Sequence, residues 1–314
     1  MTLLFGVFLL TLMVITALAM VQTKNLFVAV VLSGIFSLLM AANFFLLDAA
    51  DVALTEAAIG AGISTVLFLG ALTLTGQHEK TGSTNKLIAL TVVAAITSIV
   101  VYATFDKPRF GDPMAPVQQH VSPWYFETTR EAIDIPNIVT AVLASFRGYD
   151  TLGEVFVVFT AGIGVLFLFS VKPSRKPRPS NSQPLKQDRK SETNTTQENE
   201  GLRHYLIPRV VGRLLIPFIL LFGFYVQFHG DYGPGGGFQA GAIIAAAIIL
   251  FSLLEGQAQA LRVIPQRVLT GLIAAGGLIY GAVGVATMLL GGNFLDYSVL
   301  AANPITGQHI GIII

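Results

Sequence analysis

Residues His229–Gly241 read HGDYGPGGGFQAG. Apolar chain of bilayer-crossing length flanks this run on both sides, Val210–Phe228 before it and Phe238–Leu254 after it. Glycines and a proline therefore interrupt the chain at the edge of a membrane. Irregular backbone near lipid is costly unless protein or a water-filled cavity surrounds it. GPGGG is not a phosphate loop, because no Gly-Lys-Ser/Thr follows and no strand precedes it. The run reads as a tight turn between two membrane helices.

Composition agrees with that reading along the whole chain. Of 314 residues, 53% are hydrophobic and only 12% charged, against about 25% charged in a soluble domain. The fold class is all-α: a polytopic transmembrane helical protein of eight to nine spans. A net charge of +1 gives no argument for nucleic acid. With no cysteine, the chain holds no disulfide, thiol nucleophile or Cys-ligated cluster. No HExxH, clustered His/Asp set or Ser/His/Asp arrangement is found, so no metal, cofactor or catalytic residue is expected.

Eight apolar runs approach the ~20 residues that cross a bilayer as helix. They are Leu3–Val21, Leu26–Leu47, Val52–Thr75, Leu87–Phe105, Thr151–Val171, Val210–Phe228, Phe238–Leu254 and Thr270–Leu290. The first lacks a basic start and a cleavage site, so it is a retained span and not a signal peptide. Ile135–Phe146 is apolar but short, and fits an interfacial or re-entrant helix or the start of the next span. His309–Ile314 looks like the opening of a ninth span that stops abruptly.

With the N-terminus outside, fifteen of the 19 Lys and Arg fall on the inner side. Only Lys107, Arg109, Arg130 and Arg147 fall outside, and the one basic residue within these runs is Arg213, at the inner end of Val210–Phe228. The positive-inside rule favours this orientation. Residues 172–205 form a polar segment with proline and serine and no apolar period, a disordered cytoplasmic linker. It separates a five-span block, 1–171, from a block over 206–314.

Charges inside the membrane are the candidate functional groups. Glu56 lies in DAADVALTEAAIGAGIS, Asp48–Ser64, a turn or two inside a span. Its helical neighbours Ala53, Ala57 and Gly60 are small, so another helix can approach. It reads either as a proton-transfer carboxyl in a helix interface or as an interfacial glutamate that caps the span. Asp48 and Asp51, at the outer mouth, are expected mostly to cap. Glu154 ends FRGYDTLGE, Phe146–Glu154; on a helix Arg147, Asp150 and Glu154 would share one face, although Gly148 and Gly153 favour a break. Either an Arg147–Asp150 pair fixes the turn, or the group feeds protons or cations to Glu154.

In the second block His229 and Asp231 flank the glycine turn. His229 can titrate near neutral pH and either relays protons or sits as a loop histidine. Gln239 or His229 is expected to satisfy backbone groups freed in the turn. Arg209 and Arg213 should snorkel to headgroups at the inner end, and Gly277 and Gly281 form a GxxxG packing signal. Two isolated carboxylates and one edge histidine are too few for a complete pump. The chain is expected to supply part of a path within a larger complex.

The second block resembles the B-type component of Mrp-type multisubunit sodium/proton antiporters, on RLLIPFILLFGFYVQFHGDYGPGGGFQAGAIIA, Arg213–Ala245. The first block resembles modules in the C-terminal part of the A-type component of these antiporters, on DVALTEAAIGAG, Asp51–Gly62, and FRGYDTLGE. Similar modules occur in membrane-bound hydrogenases related to respiratory complex I. The resemblance implies a place in the inner membrane beside the other subunits of an Mrp-type complex. There protons and sodium are moved, and antiporter-like partners carry the Lys–Glu relays. It implies that Glu56 and Glu154 are the conductive acidic positions. His229, Gly235, Gly236, Gly237 and Phe238 would be the B-type signature, within a run that also holds Gly230, Gly233, Pro234 and Gln239. The large antiporter-like part of the A-type component is absent from these residues, and the family has a further span where this chain stops at Ile314, so a fragment is expected.

The expected function is that of a membrane subunit of a cation/proton antiporter, contributing acidic residues to an ion path and not acting as an enzyme. The alternatives are a membrane-arm subunit of a redox-driven ion pump and a structural scaffold.

Overall fold

A computed structural model of the chain describes residues 2–75, 78–79, 86–109, 111–170 and 206–314. The expected linker over 172–205 lies outside them. The described residues are helical throughout, joined by turns and one isolated bridge between Asn25 and His78.

Helix α1 (Thr2–Gln22) packs along α2 (Leu26–Leu46). Asn25 starts α2: its side-chain oxygen accepts from the backbone N–H of Phe27 at 3.0 Å and of Val28 at 3.3 Å, satisfying donors that a helix start leaves unpaired. The next span is a composite rod. Helix α3 (Ala50–Glu56) passes into a π-helical segment (Ala57–Ile63) and then α4 (Ser64–Leu74). Helix α5 (Lys86–Thr104) follows, exposed along Leu87–Thr104. Two short helices, α6 (Pro116–Gln119) and α7 (Val121–Ala132), lead to α8 (Ile138–Thr140), a second π-helical segment (Ala141–Phe146) and α9 (Gly148–Ser170). The short apolar run Ile135–Phe146 is thus a broken helical piece, too short for a span of its own, that stops at Phe146 just before α9.

The second block begins with α10 (Leu206–Phe228), turns through the glycine run and returns as α11 (Gly237–Glu255). Helix α12 (Gln257–Val263) makes an elbow into α13 (Gln266–Leu289). A 3-10 turn (Tyr297–Leu300) and α14 (Pro304–Ile313) close the described chain. The two blocks pack together: α11 lies against the π-helical segment of the composite rod, and α9 against α13. Ala58, Val226, Ala240 and Ile243 are buried at the first contact, with Leu54 and Ile219 against them.

Among the described residues eight helices are long and apolar enough to cross a membrane, each matching an apolar run of the sequence. No span has more than 17% of its length buried within the chain. Surfaces such as Leu3, Leu87, Val157 and Leu278 are broadly exposed. So much apolar exposure belongs in lipid or against other proteins. The chain is a multi-pass membrane protein.

Candidate functional site

The glycine turn is held from across the molecule. Asn137, just before α8, places its Nδ2 3.2 Å from Gly230 O and 2.8 Å from Gly233 O. The same nitrogen donates to Asp51 Oδ1 at 3.2 Å. Asp51 Oδ1 also accepts from the backbone N–H of Gly235 at 3.3 Å. Thr140 adds a hydroxyl bond to Gly230 O at 2.7 Å, and the Asn137 N–H donates to Asp231 O at 3.2 Å. One asparagine and one aspartate of the first block thus satisfy the irregular backbone of the second, as a turn at membrane depth demands.

Glycine is needed in the turn for close approach. A Cβ on Gly235 would stand 2.5 Å from Val226 O and 3.1 Å from Gly230 Cα. Gly236, which precedes α11, has φ of 136°, a conformation open to glycine alone at low cost.

This arrangement corrects three sequence expectations. Asp48 and Asp51 do not cap: Ala49 occupies the N-cap of α3, with no side-chain bond. Asp48 sits exposed in the preceding turn at φ 57°. Asp51 lies one residue inside α3 because its carboxylate is drawn to the turn of the other block. Gln239 does not serve the turn backbone either; its Nε2 donates to Thr55 Oγ1 at 2.8 Å. His229 stacks between Tyr225 and Tyr232, with ring centroids 4.9 and 6.2 Å away. Pro234 and Phe238 are exposed.

The buried acid of the turn is Asp231, 6% exposed. His309 of α14 places Nδ1 3.6 Å from its Oδ2. In sequence Asp231 reads only as a flank of the turn and His309 only as the start of an apolar run, since an aspartate in a polar turn looks solvated until α14 folds over it. Tyr297 is the other buried polar side chain near α14. Burial first, with the adjoining Tyr280 hydroxyl, pushes its hydroxyl well above the usual phenol range.

Glu56 stands where α3 gives way to the π-helical segment, between α2 and α11. It is half-buried, as its small-residue face suggested. Among the described residues no cation pairs with its carboxylate. A π segment widens one turn of helix and is frequent at functional sites.

Asp150 and Glu154, four apart, share one face of α9, whereas Arg147 lies just before that helix. The second π-helical segment ends at Phe146, Arg147 follows it, and α9 starts at Gly148. Arg147 and Asp150 form an ion pair with both side chains more than half exposed. Glu154 is exposed on the second turn of α9, and Gly153 lies inside an unbroken helix.

Arg209 and Arg213 also depart from expectation. Helix α10 starts at Leu206, so both lie within the span helix, one turn apart. Instead of reaching only for headgroups, both hydrogen-bond Glu255 at the end of α11. The glutamate side chain is 10% exposed. The i, i+4 spacing of the arginines, opposite a lone glutamate ending the next span, was the signal for this clamp. Among the described residues no group of His, Cys, Asp and Glu could hold a metal ion.

Three family models match the chain. A domain related to the MnhB subunit of Na+/H+ antiporter matches residues 207–314. The MbhD and MbhE components of MBH match residues 11–77 and 85–188. A Staphylococcus aureus protein that bears the name antiporter subunit mnhB2 is 34% identical over 110 residues, covering 34% of this chain and 77% of its own length. A Rhizobium meliloti protein named as a probable K(+)/H(+) antiporter A/B component is 26% identical over 200 residues, 62% of this chain and 20% of its own. Among solved structures, a chain of the Mrp complex from Dietzia sp. DQ12-45-1b superposes with a TM-score of 0.70 at 25% identity. That match covers 98% of this chain and 33% of the other. The chain therefore spans a fifth of one of these longer relatives and a third of the other.

Proposed function

The chain belongs to the family of MnhB-related antiporter subunits, and we propose that it is a membrane subunit of a multisubunit monovalent cation/proton antiporter, with sodium as the cation. It works beside antiporter-like subunits of an Mrp-type complex in the inner membrane and contributes acidic groups to the proton path. Its N-terminus lies outside and its linker over 172–205 in the cytoplasm, as fifteen of 19 basic residues favour. The five-span block over 1–171 carries the acids; the block over 206–314 braces them through the glycine turn.

One observation carries this reading. Glu56 sits within a span at a break in helix geometry, between two other spans, with no cation paired to it among the described residues. An acid so placed inside a span marks an ion or proton path. Above it Asp51 and Asp48 line the outer mouth, with Asp231 and His309 beside the turn; His229, Arg147, Asp150 and Glu154 lie on the same outer side.

Glu56→Gln and Glu154→Gln test it, with cation-driven proton movement measured in everted membrane vesicles. Complex recovery is checked by co-purification. Exchange lost with the complex intact is the expected outcome for Glu56→Gln; intact exchange in both variants leaves only a scaffold role. The matches to the MbhD and MbhE components of MBH favour a second reading, a membrane-arm subunit of a hydrogenase-related ion pump. Mass spectrometry of the purified complex separates the two. Antiporter-like subunits without redox proteins support the antiporter, whereas co-purifying iron–sulfur subunits support the pump.

A further inference from the structure

A hydroxyl of α2 converges on Glu56. A Cβ placed on Gly60 would stand 2.6 Å from Oε1 of Glu56 and nearer still to Oγ of Ser37. Oxygens from two different spans thus meet above one bare Cα, within the sum of those short distances from each other. Ser37 is 9% exposed, and Gly34 and Ala41 on the same helix are buried with it. One turn along, the Thr65 hydroxyl would stand 2.9 Å from a Cβ on Gly34, a looser but still close approach. The seam between α2 and the composite rod is therefore tight on both sides of Ser37.

The hydroxyl of Ser37 is also available. Inside a helix, serine and threonine usually donate to the carbonyl four residues back. Thr16, Thr55, Thr91 and Ser98 do so here, at 2.8–2.9 Å. Ser37 makes no such bond, and among the described residues no hydrogen bond is formed at its hydroxyl or at the Glu56 carboxylate, so the two oxygens face one space unbonded.

We propose that Ser37 is the positioning residue of Glu56, its free hydroxyl turning across the α2 seam to donate to the carboxylate in the space that glycine at position 60 leaves open. This rests on the reading of Glu56 as the proton-carrying group. Gly60 falls four residues after Glu56, on its own face of the rod, so the two features form one device. A donor aimed at a carboxylate favours its charged form over its neutral one. Removing the donor or wedging the pair apart therefore raises the neutral population.

Dicyclohexylcarbodiimide, an apolar reagent that attacks protonated carboxyls, reads that population directly. The assembled complex in native membranes is labelled at fixed pH, and modification of the Glu56 peptide is followed by mass spectrometry. Ser37→Ala and Gly60→Ala are expected to label several-fold faster than the parent, and Ser37→Thr, which keeps the hydroxyl, at the parent rate. Unchanged labelling in Ser37→Ala overturns the positioning role, as does a Ser37→Thr rate equal to that of Ser37→Ala. Exchange by Glu56→Gln is scored separately. If labelling responds as expected while Glu56→Gln still exchanges, the transport reading fails and the pairing stands. If Glu56→Gln abolishes exchange and labelling does not respond, the transport reading stands and Ser37 has no such role.

Discussion

Nδ2 of Asn137 lies 3.2 Å from Oδ1 of Asp51, joining residues 86 positions apart. The same nitrogen holds two carbonyls of the glycine turn, so one side chain ties three parts of the molecule together. Removing it strands buried polar groups, each at about 1–3 kcal/mol. Asn137→Ala is expected to lower the thermal unfolding midpoint of the purified protein clearly, and Asn137→Asp, which loses the donor beside Asp51, at least as much. A midpoint unchanged in both would remove Asn137 from the inter-block contact.

Gly235 and Gly241 belong to the same run and should answer differently to alanine. At Gly235 a Cβ meets backbone, Val226 O at 2.5 Å, which has no flexible end to move aside. Overpacking of that kind costs about 1–3 kcal/mol. At Gly241, inside α11, nothing lies within 4 Å, and alanine gains about 0.5–1 kcal/mol of helix propensity. Unfolding midpoints of Gly235→Ala and Gly241→Ala should therefore move in opposite directions.

Glu255 is clamped by two arginines, and the three residues differ in exposure. Its own side chain is 10% exposed, against 32% for Arg209 and 54% for Arg213. Exposed ion pairs contribute little, whereas removing the less exposed partner leaves like charges facing each other. The expected order of destabilisation is Glu255→Ala over Arg209→Ala over Arg213→Ala, and added salt should narrow the differences. A Glu255→Ala protein as stable as its parent would show the clamp to be ornamental.

Helix α13 offers a contrast between glycines of one face. Gly277 and Gly281 have the GxxxG spacing, yet a Cβ on either would meet nothing within 4 Å in this chain. The packing glycine is Gly284, where a Cβ would run into the Phe294 ring. Gly284→Ala is expected to cost about 1–3 kcal/mol and Gly281→Ala to leave the unfolding midpoint level or raised. Equal loss in both would mean that Gly281 also packs, against something other than this chain.

The spans could be read one residue at a time, because lipid imposes the same demand on every position. All eight apolar runs became span helices. Glu56 could be placed in a helix interface because an acid flanked by Ala53, Ala57 and Gly60 has small neighbours on its own face. The Gly233–Gly237 turn was legible for the same local reason. Arg209 and Arg213 were misread through helix length: α10 starts at Leu206, and a window of apolarity alone does not see those first turns.

Sequence by itself determined that this is an all-α membrane chain with spans of bilayer length, a glycine turn at the membrane edge and an acid inside the third span. Each follows from local composition and period. Only the tertiary structure decided what those groups touch. Asp51 serves a turn 184 residues away, Asp231 is buried under α14 beside His309, and oxygens of Ser37 and Glu56 both flank the bare Cα of Gly60. A hydrogen bond depends on where two helices cross, and crossing is set by packing over the whole bundle. No pattern within one helix records it.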